Sequence, residues 1–180
     1  MNANLPTGPR QNVELKARLV DLPGARALAA RLSGGPPEII AQVDTYFACA
    51  HGRLKLRTIV GDHSELIAYV RTDEIAPRAS RYRIIPVPDA AALGDALSAA
   101  LGVLVIVEKR REISLYNNVR IHLDQVQGLG TFLEFEAVLE AHQPLAVGEL
   151  QVRELARQFG LLPEHLVGGS YSDLLLAAPS

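Results

Sequence analysis

The chain predicts an α+β fold built on a mainly antiparallel, strongly curved sheet. Three observations carry that prediction. About eight runs have the alternating or β-rich character of strands, against three or four helical stretches. Most of the later runs are joined by tight-turn signals, while the first is followed by a helical crossover. Several runs also set charged side chains at every second residue, so that they share one face of a strand.

Residues 1–10 carry prolines and a glycine and predict a loose lead-in. A first strand follows from Gln11 to Leu19, with Val13, Leu15 and Ala17 on one face and Asn12, Glu14, Lys16 and Arg18 on the other. DLPGARALAARLSGG reads as a helix, with Pro23 near its start and Gly34-Gly35 to stop it. EIIAQVDTYFACA, the turn-like His51-Gly52 and RLKLRTIV predict a hairpin. SELIAYVRTD and ASRYRIIPV are further strands, and DAAALGDALSAALG is an amphipathic helix. VLVIVEKRREISLYNN, VRIHLDQV and TFLEFEAVLE then form three strands linked at Asn117-Asn118 and Gly128-Leu129-Gly130. From about Gly148 to Leu176 the pattern is helical, broken at Pro163 and Gly168-Gly169. No internal repeat or low-complexity tract interrupts this order.

A length of 180 residues suits a single domain with a proper core. The apolar fraction of 48% and charged fraction of 21% are those of a globular chain. A net charge of −2 makes no case for bulk binding to nucleic acid or a membrane surface, so neither is an expected partner. The lone cysteine, Cys49, excludes an intrachain disulfide and reads as a small buried hydrophobe. No signal-peptide pattern is present, and the longest apolar run, GVLVIV, is too short to span a bilayer. A reducing, cytoplasmic setting is the resulting expectation.

The charges are not evenly mixed. Arg53, Lys55 and Arg57 share a face, as do Tyr69 and Arg71, Lys109 and Arg111, and Arg120, His122 and Asp124. Arg81 and Arg83 alternate with Tyr82. One solvated sheet face would account for any single strand. If the sheet closes into a barrel, however, one alternating face must point inward. An interior with about eight Lys and Arg would repel itself unless a polyanion filled it. Glu134 and Glu136, two apart on one strand, project side by side, and a hard divalent cation would relieve their repulsion. Glu14 and Asp124 are candidates to complete that cluster, which gives cations and a carboxylate-held metal for a triphosphate.

NVELKAR, followed by QVDTYF, GRLKLR, EKRRE, VRIHLDQVQGLGTFLEFE and SYSDLL, resembles the CYTH family of triphosphate tunnel enzymes across residues 12–175. That family includes class IV adenylyl cyclases, thiamine triphosphatases and inorganic triphosphatases. The resemblance implies one domain over residues 1–180, an antiparallel eight-stranded β-barrel tunnel with helices packed outside. It implies Mg²⁺ or Mn²⁺ held by Glu14, Glu134 and Glu136, with Asp124 in or near the group. Lys16, Lys55, Arg57, Lys109, Arg111 and Arg120 are implied phosphate contacts; Arg71 is a further candidate. Arg78 and Ser80 match a site that more often reads Lys-x-Ser. Glu134, Glu136 and Lys109 are the residues expected to carry the chemistry. The family's opening Glu-x-Glu-x-Lys reads Asn12-Val13-Glu14-Leu15-Lys16 here, which removes one carboxylate, weakens one metal position and disfavours a two-metal mechanism.

The implied substrate is a triphosphate-bearing small molecule such as tripolyphosphate, ATP or thiamine triphosphate. Class IV cyclases resemble one another in a His-Phe pair before the opening motif; LPTGPRQ stands there instead, and aromatics are only 5% of the chain. Hydrolysis is therefore favoured over cyclisation of ATP to cyclic AMP and pyrophosphate. A non-catalytic polyphosphate- or nucleotide-binding module and a plain structural β-domain are the competing readings. Dimerisation is common in the family, so a homodimer is compatible with the resemblance. The histidines show no zinc-ligand spacing; His122 reads as a hydrogen-bonded structural residue, and Tyr46 as either tunnel wall or packing.

Overall fold

The computed structural model describes residues 10–71, 76–140 and 142–178, so most of the predicted lead-in lies outside the described residues. Eight strands are present: β1 (Arg10–Arg18), β2 (Glu38–Phe47), β3 (Arg53–Ile59), β4 (Ser64–Arg71), β5 (Arg78–Val87), β6 (Val103–Tyr116), β7 (Val119–Val126) and β8 (Gly130–Leu139). Helices are α1 (Leu22–Ser33), α2 (Ala90–Leu101), α3 (Leu145–Gln158) and α4 (Tyr171–Ala177), with a short 3-10 turn at Pro163–His165. The strands form a closed antiparallel barrel in the order β1-β5-β4-β3-β2-β6-β7-β8, and β8 pairs back onto β1. The α+β barrel expectation is therefore met. The sequence pattern marks the α1 crossover; α2 makes a second one, carrying the chain from β5 across to β6. No helix among the described residues is long and apolar enough to cross a membrane.

The alternation is resolved in an unusual sense: the apolar face of β1, β7 and β8 points outward and the polar face points inward. Val13, Leu15, Ile121, Leu123, Leu133 and Phe135 form one core with Ala25 and Ala29 of α1 and Val152 and Leu155 of α3. Burial of each large side chain there contributes about 1.5–3 kcal/mol, so the helices are what make an outward apolar wall stable. Local signals set where the helices begin and how closely they dock. Asp21 caps α1 by accepting from the Gly24 N–H at 2.9 Å, and Gly34, at φ 73°, ends it. Gly148 lets α3 approach β1; a Cβ there would meet Val13 Cγ2 at 2.8 Å.

One expectation is corrected. Cys49 is exposed in the β2–β3 connection, its thiol donating to the Gly52 carbonyl at 3.3 Å, because it lies beyond the last barrel residue of β2. Arg81 and Arg83 are exposed on the outer face of β5, while Tyr82 between them faces the interior.

An ion pair pins α1 to the outside of the barrel. Arg26 donates two bonds of 2.7 Å to Glu112, which is almost wholly buried on the outer face of β6. Hydrogen bonding from Arg26, helped by Arg110, lowers the Glu112 carboxyl from its ordinary 4.5 to about 2. The stabilisation is thus complete above about pH 4.5 and lost as pH falls through about 2. Glu112→Gln is expected to cost about 1–3 kcal/mol at neutral pH. In urea unfolding the gap to the parent should close as pH drops through this window. A gap that ignores pH would mean the ion pair is not its source.

Candidate active site

The barrel interior is a cavity of about 390 Å³. Alternation fixes its lining: Lys16 on β1, Lys55 and Arg57 on β3, and Lys109 and Arg111 on β6 all face it. These cations are assembled by two buried aspartates. Asp44 on β2 accepts from Arg57 Nε at 2.9 Å, from Lys55 Nζ at 3.0 Å and from Gln42 Nε2 at 2.8 Å, with Lys109 Nζ at 4.0 Å. Asp124 on β7 takes both arms of the Arg111 fork at 2.6 Å, the Tyr171 hydroxyl at 2.8 Å, and Lys109 Nζ at 3.8 Å. Burial alone would raise the Asp44 carboxyl, but Arg57, Lys55 and Lys109 hold it well below the usual carboxylate range. The same competition, with Arg111 and then Lys109 as the cations, holds Asp124 down. Lys109 is shifted toward its neutral form: burial, then its neighbour Arg111, lowers its ammonium to about 7, with Asp124 and Asp44 offsetting part of this.

A carboxylate corner occupies the adjoining wall. Glu14 and Glu136 are register partners across β1 and β8, and Lys16 and Glu134 are the next inward pair. Glu14 accepts from Arg78 Nε at 3.0 Å; Glu134 accepts from Arg111 at 3.2 Å and lies 3.7 Å from Lys16 Nζ. Burial would raise Glu134, yet Lys16 and Arg111 keep it well below its ordinary range. Glu136 accepts from Arg120 at 3.2 Å and from the Asn12 amide. Two buried atoms in this corner, Asn12 Oδ1 and His122 Nδ1, have no hydrogen-bond partner among the described residues. Among the described residues no three His, Cys, Asp or Glu side chains converge closely enough to grip an ion as they stand. Each carboxylate is turned to a cation instead. The donor set nonetheless suits a hard divalent ion: three carboxylates face one space, and the unmatched Asn12 oxygen can only accept.

The structure sorts the remaining sequence candidates by place. Asp124 lies behind the cations, with both oxygens engaged by Arg111. Arg78 is buried against Glu14 and donates to the Gly169 carbonyl at 3.0 Å, tying the segment before α4 to the barrel; Ser80 lines the cavity. Arg120 is partly exposed beside Glu136. The Arg71 side chain lies outside the described residues. Tyr46 is tunnel wall, and His122 lines the cavity with one nitrogen unmatched rather than forming the hydrogen bonds of a structural histidine. Asp44 and Tyr171 were not assigned by sequence. Tyr171, first residue of α4, closes one end: its ring lies 3.8 Å from Lys16 Nζ and packs edge-on against Phe132.

Asp44→Asn tests this electrostatic scheme. It strips compensation from Lys55, Arg57 and Lys109 together, and breaking such a buried network is expected to cost about 3–5 kcal/mol. Tripolyphosphate at about 100 times its Kd should return about 2.7 kcal/mol in thermal unfolding. An Asp44→Asn protein as stable as the parent would show that the cations do not depend on it.

Comparison with known proteins places this geometry. The model of the CYTH domain matches residues 10–171. Among solved structures, the PH1012 protein of Pyrococcus horikoshii OT3 superposes with a TM-score of 0.78 at 24% identity, over 91% of this chain and 98% of that one. A candidate adenylate cyclase of Vibrio parahaemolyticus gives 0.70 at 22% identity, over 92% and 98%. HpAC1 of Hippeastrum, described as having a dominant triphosphatase activity, gives 0.61 at 14%, over 93% and 94%. No curated protein matches the chain. With a closed eight-stranded barrel and a family match spanning nearly its whole length, the chain belongs to the CYTH family.

Proposed function

We propose that the protein is a divalent-metal-dependent phosphohydrolase that binds a triphosphate inside the barrel. The observation that carries this reading is the convergence of Lys16, Lys55, Arg57, Lys109 and Arg111 on one cavity, beside a wall bearing Glu14, Glu134 and Glu136. A polyanion is the ligand that such a surface neutralises, and arginine forks match phosphate oxygens in geometry as well as charge. Family membership supports triphosphate processing as the general activity.

The chain's own groups divide the work. Arg111, set in angle by Asp124, and Arg57, set by Asp44, would bind phosphate oxygens through fixed forks. Lys16, Lys55 and Lys109 add charge from three strands. A phosphate beside Lys109 would favour its protonated form and offset the burial that lowers it. Glu14, Glu134 and Glu136, with the Asn12 carbonyl oxygen, would hold Mg²⁺ or Mn²⁺. Bound there, such an ion would supply Lewis-acid polarisation of the phosphoryl group and lower the pKa of a water. Asn12 makes this corner poorer by one negative charge than the family's opening motif, which favours one ion over two. Positioning and charge neutralisation then lower the barrier, without a covalent intermediate.

The test offers tripolyphosphate, ATP and thiamine triphosphate with Mg²⁺ or Mn²⁺ and reads phosphate, pyrophosphate and cyclic AMP. Orthophosphate release, reduced at least about 100-fold in Glu134→Gln, is expected. Lys55→Met should raise KM with little change in melting temperature. Cyclic AMP with pyrophosphate as the products would replace hydrolysis by cyclisation. Binding with no product under either metal would make the protein a sensor.

A further inference from the structure

The part of the tunnel wall without the carboxylate corner has a character of its own. Five strands adjacent in the barrel, β5, β4, β3, β2 and β6, each turn one isoleucine inward: Ile84, Ile67, Ile59, Ile40 and Ile113. Ile67 and Ile84 are direct register partners, and Ile40 pairs with Arg111 at the edge of the cationic floor. Ile59, Ile113 and Ile40 lie on the side of the cations away from Tyr171, and Ile67, the register partner of Lys55, continues this apolar wall with Ile84. On β3 Ile59 follows Lys55 and Arg57, on β6 Ile113 follows Lys109 and Arg111, and on β2 Ile40 precedes Asp44 and Tyr46. Ile40, Ile84 and Ile113 are only half-buried, since their side chains face the cavity. The carboxylates of Glu38, Asp62 and Glu65 line the same end.

Phosphate gains little from this end. Isoleucine offers it no donor, carboxylates repel it, and His63 among them is engaged by Asp62 and Glu65. Resting on the triphosphate reading, we propose that the isoleucine end binds the organic part of the substrate, so that the substrate is an organic triphosphate ester and not inorganic tripolyphosphate. An apolar ring would lie against the isoleucines, and a cationic or N–H-bearing group would face Glu38 and Glu65. These acids can accept hydrogen bonds or pair with a cation, which defines the chemistry wanted at that edge. The cavity volume of about 390 Å³ lies within the range of pockets that enclose whole organic ligands, about 300–1,000 Å³. The amino group of a nucleobase and the cationic ring of thiamine both meet the requirement, and the experiment separates them.

Steady-state kinetics and calorimetric binding are measured with tripolyphosphate, ATP and thiamine triphosphate on the parent, Ile84→Asn and Ile113→Asn. Both positions are half-buried, and each variant's own tripolyphosphate constants report whether its phosphate site is intact. One ester is expected to show a KM about tenfold below that of tripolyphosphate. Each variant should erase about tenfold of the ester's advantage while moving the tripolyphosphate constants by less than about twofold. Preference for thiamine triphosphate identifies a cation at Glu38 and Glu65; preference for ATP identifies a neutral donor. Tripolyphosphate handled as well as both esters, or variants that weaken all three compounds equally, would overturn the assignment and leave the phosphohydrolase reading standing. Failure of all three to bind removes that reading and this one together.

Discussion

The structure depends on the two buried aspartates, Asp44 and Asp124. A barrel interior that gathers two arginines and three lysines would be self-repelling in a low-dielectric space. Asp44 serves Lys55, Arg57 and Lys109, while Asp124 serves Arg111 and Lys109. Glu134 adds a third counter-charge, to Lys16 and Arg111. Lys109 is the cation on which burial weighs most: with Arg111 beside it, its ammonium falls to about 7, although Asp124 and Asp44 offset part of the cost. On the proposed reading, a bound polyanion would stabilise its protonated form.

The inward polar face in turn requires apolar packing elsewhere. Here it lies outside the barrel, where α1 and α3 cover β1, β7 and β8. The same strands that supply Glu14, Asp124, Glu134 and Glu136 to the interior supply Val13, Leu123, Leu133 and Phe135 to the helix-covered face. A register slip of one residue on β1 or β8 would exchange these sets and bury charge against α3. The site geometry and the core are thus specified by one constraint, and Gly148 against Val13 shows how close the helix must come to enforce it.

That constraint explains what was legible in the sequence. Period-two alternation assigns Glu14 with Lys16, Lys55 with Arg57, and Glu134 with Glu136 to common faces, and turn chemistry orders the strands around them. Alternation alone does not say which face is inside: Arg81 and Arg83 alternate like the tunnel cations and lie outside. Long-range partners are harder still. Asp44 meets Lys109 from another strand, and Arg78 reaches Gly169 across 91 positions of the chain. No local pattern marks either contact. The isoleucines are hidden for a different reason: in a sequence, an apolar residue reads as core, and only closure of the barrel reveals that five of them face a cavity.

Asn12 shows how a single side chain alters that balance without altering the fold. It keeps its inward place on β1, with Ser80 and Val138 as register partners, and its amide donates to Glu136. A carboxylate there could not donate, and beside Glu136 it would raise the cost of keeping both ionised unless a cation lay between them. The amide removes that need. The corner needs fewer positive charges, while Asn12 Oδ1 is left a buried acceptor with no partner among the described residues. Replacing charge repulsion by a hydrogen bond lowers the electrostatic demand for a second ion. The cationic floor does not involve Asn12, so on the proposed reading polyanion binding and metal stoichiometry would be separable.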